Sequence, residues 1–95
     1  MSDVIEAAVA ALKERLGEGF DGSVKFVIEG EGAVVVDAAG VRAADEEADV
    51  TLTADADTFQ AMLSGDLNPT AAFMSGRLRV DGDMGQAMKL GALLA

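Results

Sequence analysis

The spacing of apolar residues changes period several times along this chain, and each change marks an element. From Asp3 to Leu16, Ile5, Ala8, Val9, Leu12 and Leu16 recur at three- and four-residue steps, the signature of one helix face. Asp3 and Glu6 offer a capping arrangement at its start, and Lys13 and Arg15 stand in its last turn, where cations suit the helix dipole. Gly17 and Gly19 end the run, and Phe20 reads as an apolar plug in the connection. The period then falls to two. Ser23 to Glu29 puts Val24, Phe26 and Ile28 on one face of a strand, with Lys25 and Glu29 on the other. Gly30-Glu31-Gly32 makes a hairpin turn. Ala33 to Asp37 carries Val34-Val35-Val36, an unbroken apolar run that predicts a strand covered on both faces. Ala38-Ala39-Gly40 turns the chain into a short third strand, Val41 to Ala44, and Asp45-Glu46-Glu47 reads as a solvated acidic turn. A fourth strand, Asp49 to Ala54, points Val50 and Leu52 inward and Thr51 and Thr53 outward.

The second half alternates helix and strand. Asp57-Thr58-Phe59-Gln60 opens a short helix whose inner face holds Phe59, Met62 and Leu63, and Gly65 ends it. Asn68-Pro69 starts another: Asn can cap the free N–H groups, and Pro at the first helical position loses nothing. This helix lasts about two turns, to Gly76. Arg77-Leu78-Arg79-Val80-Asp81 alternates as a half-buried fifth strand, with both arginines directed away from the apolar side. After Gly82, Asp83 caps a last helix running to Leu94, and Gln86 completes a box of the Asp-x-x-Gln kind. The order of elements predicts an α+β domain over residues 1–95: one five-stranded, mostly antiparallel sheet with helices on one face.

Composition narrows the chemistry. Ninety-five residues suffice for one modest core. The mean hydropathy of +0.28 is high for a chain carrying 25% charged residues, yet no apolar run approaches the ~18–20 residues of a membrane span. Neither a basic, secretory-type amino end nor a Ser-Lys-Leu ending is present, so the cytoplasm is the expected location. The formal charge of −10, with seven dispersed Lys and Arg, argues against nucleic acid and against strong attraction to anionic membranes. His and Cys are absent, which removes the common general base, the thiol nucleophile and the usual metal ligands. Asp45-Glu46-Glu47 lacks the spacing of a Ca²⁺ loop, and Gly30-x-Gly32 precedes a strand instead of a helix, so it is no dinucleotide loop. The carboxylate pairs Asp55/Asp57 and Asp81/Asp83 fall at helix starts and read as caps. The chain is expected to be no enzyme and to need neither metal nor cofactor.

Asn68-Pro69-x-x-Ala72-Phe73-x-x-Gly76-Arg77-Leu78-Arg79-Val80-x-Gly82-Asp83-x-x-x-Ala87-x-Lys89-Leu90 resembles the closing segment of the sterol carrier protein 2 (nonspecific lipid-transfer) domain family. The resemblance is dense over residues 65–94 and extends more loosely back to residue 3 in element order. Family members usually carry Lys at the positions of Arg77 and Arg79, so the charge is kept. The resemblance implies a lipid-accommodating α/β domain.

Apolar binding is the function left by this inventory, and the resemblance points the same way. Phe26, Leu52, Phe59, Met62, Leu63, Phe73, Met74, Leu78, Met84 and Met88 are expected to line a pocket between the sheet and the carboxyl-terminal helices. A dry cavity of ~300 Å³ costs on the order of 7 kcal/mol, which rivals the stability of a whole small domain. Methionines that fill and vacate space offer one answer to that cost. The expected partner is a hydrophobic small molecule: a fatty acid or acyl-CoA, a sterol-like lipid or an isoprenoid. Two other readings stay open. One is an accessory protein presenting a quinone-type intermediate to enzymes; the other is a dimerisation or interaction module using the same groove. Gly85 and Gly91 in the last helix either weaken it into a movable wall or permit close packing.

Overall fold

A computed structural model describes residues 3–16 and 20–94, with side chains through Ala92. The expected helix stop at Gly17 and Gly19 and any part of Leu93 and Leu94 in the apolar face lie outside the described residues. Nine elements follow one another: α1 (Asp3–Leu16), β1 (Val24–Ile28), β2 (Gly32–Asp37), β3 (Gly40–Ala43), β4 (Val50–Ala54), α2 (Ala56–Ser64), α3 (Pro69–Met74), β5 (Arg79–Gly82) and α4 (Met84–Leu94). The strands form one sheet in the order β3-β2-β1-β4-β5. Three pairings are antiparallel, and the central pair, β1 with β4, is parallel. The α+β class and the mostly antiparallel five-stranded sheet agree with the sequence pattern.

The alternation of β1 and β4 sends Val24, Phe26, Ile28, Val50, Leu52 and Ala54 to one face, where all are buried. The helices cover this face. α1 lies over β2 and β3 through Ile5, Ala8 and Leu12, and α4 lies over β4 and β5. The other face carries a cross-strand row of Arg42, Val35, Lys25, Thr51 and Asp81. Val35 is only 1% exposed in that row, so the apolar run is covered on both faces as its composition predicts.

The segment from Ala44 to Asp49 joins β3 to β4 and is tied to Lys25 and Arg42 of the same row as Val35. It must carry the chain from one edge strand past β2 and β1, about 14 Å across the sheet, and its six residues reach about 20 Å when extended. On the way Asp45 pairs with Lys25 at 3.0 Å, and Glu46 pairs with Arg42. Arg42 also meets Asp37 at 3.0 Å. Its guanidinium, with the Ala39 N–H, holds the Asp37 carboxyl below the usual carboxylate range, and Asp37 and Glu46 together push the Arg42 pKa up. Two acidic residues read as freely solvated are therefore the ties of a crossing strap. The partner of Asp45 lies 20 residues back on β1, which a local reading of charge does not reach, whereas Arg42 is only four residues before Glu46.

Two caps also differ from expectation. The N-cap of α2 is Asp55, whose Oδ1 accepts from the Thr58 N–H at 2.7 Å; Asp57 sits within the first turn. In α4, Asp83 does cap the helix, accepting from the Gly85 N–H at 2.9 Å, but the Gln86 side chain does not return to it. Asn68 caps α3 as expected, accepting from the Thr70 N–H at 2.8 Å, and Pro69 opens that helix.

Candidate functional site

Between the sheet and the three later helices lies a cavity of about 260 Å³. Its floor is Phe26 of β1, Leu52 of β4, and Leu78 and Val80 of the β5 segment. Met62 of α2 closes the inner end. Pro69, Thr70, Phe73 and Met74 of α3 form one wall, and Met84, Ala87, Met88 and Gly91 of α4 form the other. The α4 residues follow the i, i+3, i+4, i+7 rule, so one helix stripe makes that whole wall.

Eight of the ten residues expected to bind an apolar ligand line this space: Phe26, Leu52, Met62, Phe73, Met74, Leu78, Met84 and Met88. Phe59 and Leu63 do not. Phe59 is buried on α2 with its ring edge-on to Phe26, centroids 5.0 Å apart, and so braces the Phe26 ring without lining the cavity. Leu63 is half-buried on the flank of α2. Sequence spacing placed all three α2 residues on one inner face, but only Met62 is at the angle that reaches the cavity. Pro69, Thr70, Val80, Ala87 and Gly91 line the site without having been expected to. Val80 shares the strand phase of Leu78, and Ala87 and Gly91 share the stripe of Met84 and Met88, so their signal was present. Pro69 and Thr70 gave only a capping signal.

The site is not a sealed core. Met74 is 80% exposed, Met88 72%, Met84 44% and Phe73 42%. These four surround an open mouth between α3 and α4. α3 has six residues and stops at Met74, and among the described residues no other element covers the gap. Three of the four methionines expected inside, Met74, Met84 and Met88, therefore form the rim with Phe73, while Phe26, Leu52, Met62 and Leu78 form the interior.

Polar contacts hold α4 on the side away from the mouth. Gln86 accepts from the Ser23 N–H through Oε1 at 3.0 Å and donates through Nε2 to Asp49 at 2.9 Å. The Asp83 N–H donates to the Asp49 carbonyl at 3.0 Å, and Lys89 meets Asp21 at 3.3 Å while lying over the Phe20 ring. Gly22 makes room for this. A Cβ there would lie 2.1 Å from Gln86 Oε1, and its φ of +132° suits glycine alone. Leu90, fully buried, adds the apolar anchor.

No charged side chain lines the cavity, and Thr70 is its one polar side chain among the described residues. Arg77 and Arg79 are exposed and alternate with the lining residues Leu78 and Val80. Thr53, the strand partner of Arg79, belongs to the outer face. Arg77 acts on Asp55. The Asp55 carboxyl is held below the usual range chiefly by Thr58, through its nearby side chain and its N–H, with Arg77 adding to it; the Thr58 hydroxyl, fully buried, makes no hydrogen bond of good geometry. Among the described residues no group of three or more acidic, His or Cys side chains could hold a metal, and no helix is long and apolar enough to cross a membrane.

A helix-backed sheet enclosing an apolar, ligand-sized space defines a carrier of hydrophobic small molecules, and comparison with known proteins agrees. The chain belongs to the SCP-2 sterol transfer family, which it matches over residues 4–95. That family is one of lipid-binding transfer proteins. Human hydroxysteroid dehydrogenase-like protein 2 is 38% identical over 93 residues, covering 97% of this chain and 21% of the human protein. The chain thus spans about a fifth of the length of that relative, and about a quarter of its Xenopus laevis counterpart. Among solved structures, the sterol carrier protein domain 2 of Helicoverpa armigera is 33% identical with a TM-score of 0.69, covering 95% of this chain and 81% of that one. Sterol carrier protein 2 of Aedes aegypti, solved in complex with the C16 fatty acid palmitate, shares the fold with a TM-score of 0.78 at 24% identity, covering 100% of this chain and 97% of that one.

Proposed function

We propose that this chain carries a molecule with one slender apolar chain, acyl or alkyl, seated between the floor residues Phe26, Leu52 and Leu78 and the α3 and α4 walls. The observation that carries the reading is the cavity itself: about 260 Å³, walled by apolar side chains and open through a rim of methionines. This volume falls just under the roughly 300–1,000 Å³ of small-molecule sites. A flexible chain can thread such a space and continue along the rim, whereas a rigid fused-ring skeleton must push the walls apart. Of the residues expected to bind, Met62, Phe73, Met74, Met84 and Met88 take the contacts along the chain, Phe59 braces Phe26 of the floor, and Leu63 stays off the ligand. The palmitate bound by the Aedes aegypti protein is a molecule of this shape. The dimerisation reading is weaker, because four rim side chains fall well short of the roughly 20–30 residues a side that a stable interface uses.

Two measurements test the proposal together. Mass spectrometry of an organic extract of the purified protein should show a stoichiometric long-chain compound. Ala87→Phe, which projects a ring from a half-buried wall position into the cavity, should lower affinity for an added C12–C16 chain at least tenfold with unchanged circular dichroism. Unchanged affinity in that variant would place the ligand elsewhere.

A further inference from the structure

The cavity takes an apolar chain, but among the described residues nothing lining it is built to receive an anionic end. The seven cations of the sequence can be followed one by one. Lys25 and Arg42 are paired with Asp45, Asp37 and Glu46 on the opposite face of the sheet. Lys89 is turned to Asp21 and Phe20 on the anchored side of α4, away from the mouth. Arg15 donates to the Leu63 carbonyl, and Lys13 lines a groove between α1 and β3. Arg79 pairs with Thr53 of the outer face, and Arg77, exposed just before β5, acts on Asp55. The mouth itself is apolar, and the exposed Asp83 directly precedes Met84 of its rim. Around all of this the chain carries a charge of −10.

From this we infer, on the footing of the carrier reading above, that the cargo is an amphiphile whose polar end stays in water at the mouth and is uncharged or cationic, such as a long-chain alcohol, ester or amine, and that the corresponding carboxylate is disfavoured. The physical reason is a field effect, not a contact. A head that keeps its water at the mouth gains no hydrogen bond and loses no hydration on binding, so the chain term is common to all heads of equal length. What separates them is the potential of an acidic protein. For ten net charges on a body with a Cα radius of gyration of 11.6 Å, that potential is worth roughly fivefold in affinity at 0.15 M salt and roughly twentyfold at 0.01 M. It acts against an anion and in favour of a cation. A neutral head feels none of it.

The test compares three C12 compounds with the intact chain at pH 7.5, below their micellar concentrations: dodecylamine, dodecanol and dodecanoate. Each displaces the neutral fluorescent probe N-phenyl-1-naphthylamine. The expected order of affinity at 0.01 M salt is amine, alcohol, carboxylate, with at least a fivefold step from alcohol to carboxylate. Raising the salt to 1 M should draw the three to within about twofold, since the Debye length falls to ~3 Å. Dodecanoate binding as tightly as dodecanol at low salt would overturn the inference. If that tight binding also disappears in the Arg77→Gln/Arg79→Gln double variant, the arginines hold the head after all. Dodecanol binding more tightly than both ions, at every salt concentration, would equally overturn it, because the head would then be buried. Failure of all three compounds to displace the probe would instead sink the carrier reading itself.

Discussion

Gln86 shows how much of this site depends on one side chain placed by the tertiary structure. Its spacing from Asp83 is that of a capping box, and the sequence gives no hint of any other use. In the structure the N–H that a box would satisfy, that of Asp83, is already donated to the Asp49 carbonyl. The Gln86 amide is therefore released to join Ser23 to Asp49, and Ser23 Oγ accepts from the Asp49 N–H at 2.8 Å to close the group. This group sets the roll of α4 about its axis, and the roll is what turns Met84 and Met88 toward the cavity. Gln86→Ala should cost about 1–2 kcal/mol in urea unfolding, since it strands a part-buried N–H. Gly22→Ala should cost at least as much, because the new methyl displaces the Gln86 amide and the backbone there disfavours any side chain. The double variant should be less destabilised than the sum of the singles, as both remove the same contact. Strict additivity would mean that Gly22 and Gln86 act separately.

At the scale of elements, strand phase and helix caps were the legible parts. The alternation in β1 and β4 named the inward residues correctly because one face is fully buried and the other is not, and Asn68-Pro69 fixed the start of α3 through purely local chemistry. The parallel pairing of β1 with β4 was not legible: both strands read alike whichever direction they run, and the strap from β3 to β4 has no periodicity. The open mouth was hidden too. An apolar helix stripe announces that it wants cover but not whether a neighbour supplies it, and α3 is too short to cover Met84 and Met88. The structure does separate the two glycines of α4. A Cβ on Gly85 would come within 3.2 Å of the capping Asp83 Oδ1, so the carboxylate would have to give by a few tenths of an ångström. A Cβ on Gly91 would meet Pro69 at 3.6 Å, an ordinary contact, so close packing does not require glycine there. Gly91→Ala should then stabilise the chain by about 0.5–1 kcal/mol through helix propensity, read from the urea midpoint, while weakening ligand binding a few-fold by narrowing the cavity. A loss of stability would show that the α3–α4 contact is tighter than it stands. The same geometry divides α4 in response to ligand. Residues 84–87 are held by the hydrogen bonds of Asp83 and Gln86 in either state, whereas residues 88–92, with Met88 and Gly91 in the cavity wall, are held by the packing of Leu90 and the exposed pair of Lys89 with Asp21. Added dodecanol should slow amide hydrogen exchange mainly over residues 88–92. Equal protection along the whole helix in a sample shown to be loaded would make α4 a fixed wall.

For the whole molecule the dominant quantity is charge, and it acts on stability in two opposed ways as pH falls. A net charge of −10 at pH 7 on a small body repels itself, and this repulsion fades as the pH approaches the isoelectric point of about 4.1. Against it stand Asp37 and Asp55, whose carboxyls are held below their ordinary value of 3.8 by Arg42 and by Thr58 respectively. A lowered folded-state pKa contributes stability that is fully present above the unfolded value and is lost as pH falls through the folded one. The two effects therefore occupy different windows: repulsion is relieved between pH 7 and about pH 4, and the carboxylate contributions are lost below it. At 0.01 M salt the urea midpoint should rise from pH 7 to a maximum between about pH 4 and 5, then fall steeply. At 0.5 M salt, where screening removes most of the repulsion, the rise should flatten and the fall below pH 4 should remain, because ion pairs and hydrogen bonds at contact distance are screened far less. The Asp37→Asn/Asp55→Asn double variant separates the terms. Asn keeps a capping oxygen at position 55 but cannot titrate at either site, so the variant should retain the rise and lose much of the steep fall. An unaltered acid limb in that variant would move the acid sensitivity to other carboxylates. A midpoint at pH 7 and low salt equal to that at pH 5 would show that self-repulsion is too weak to govern the fold, and would also weaken the field argument for the ligand's head.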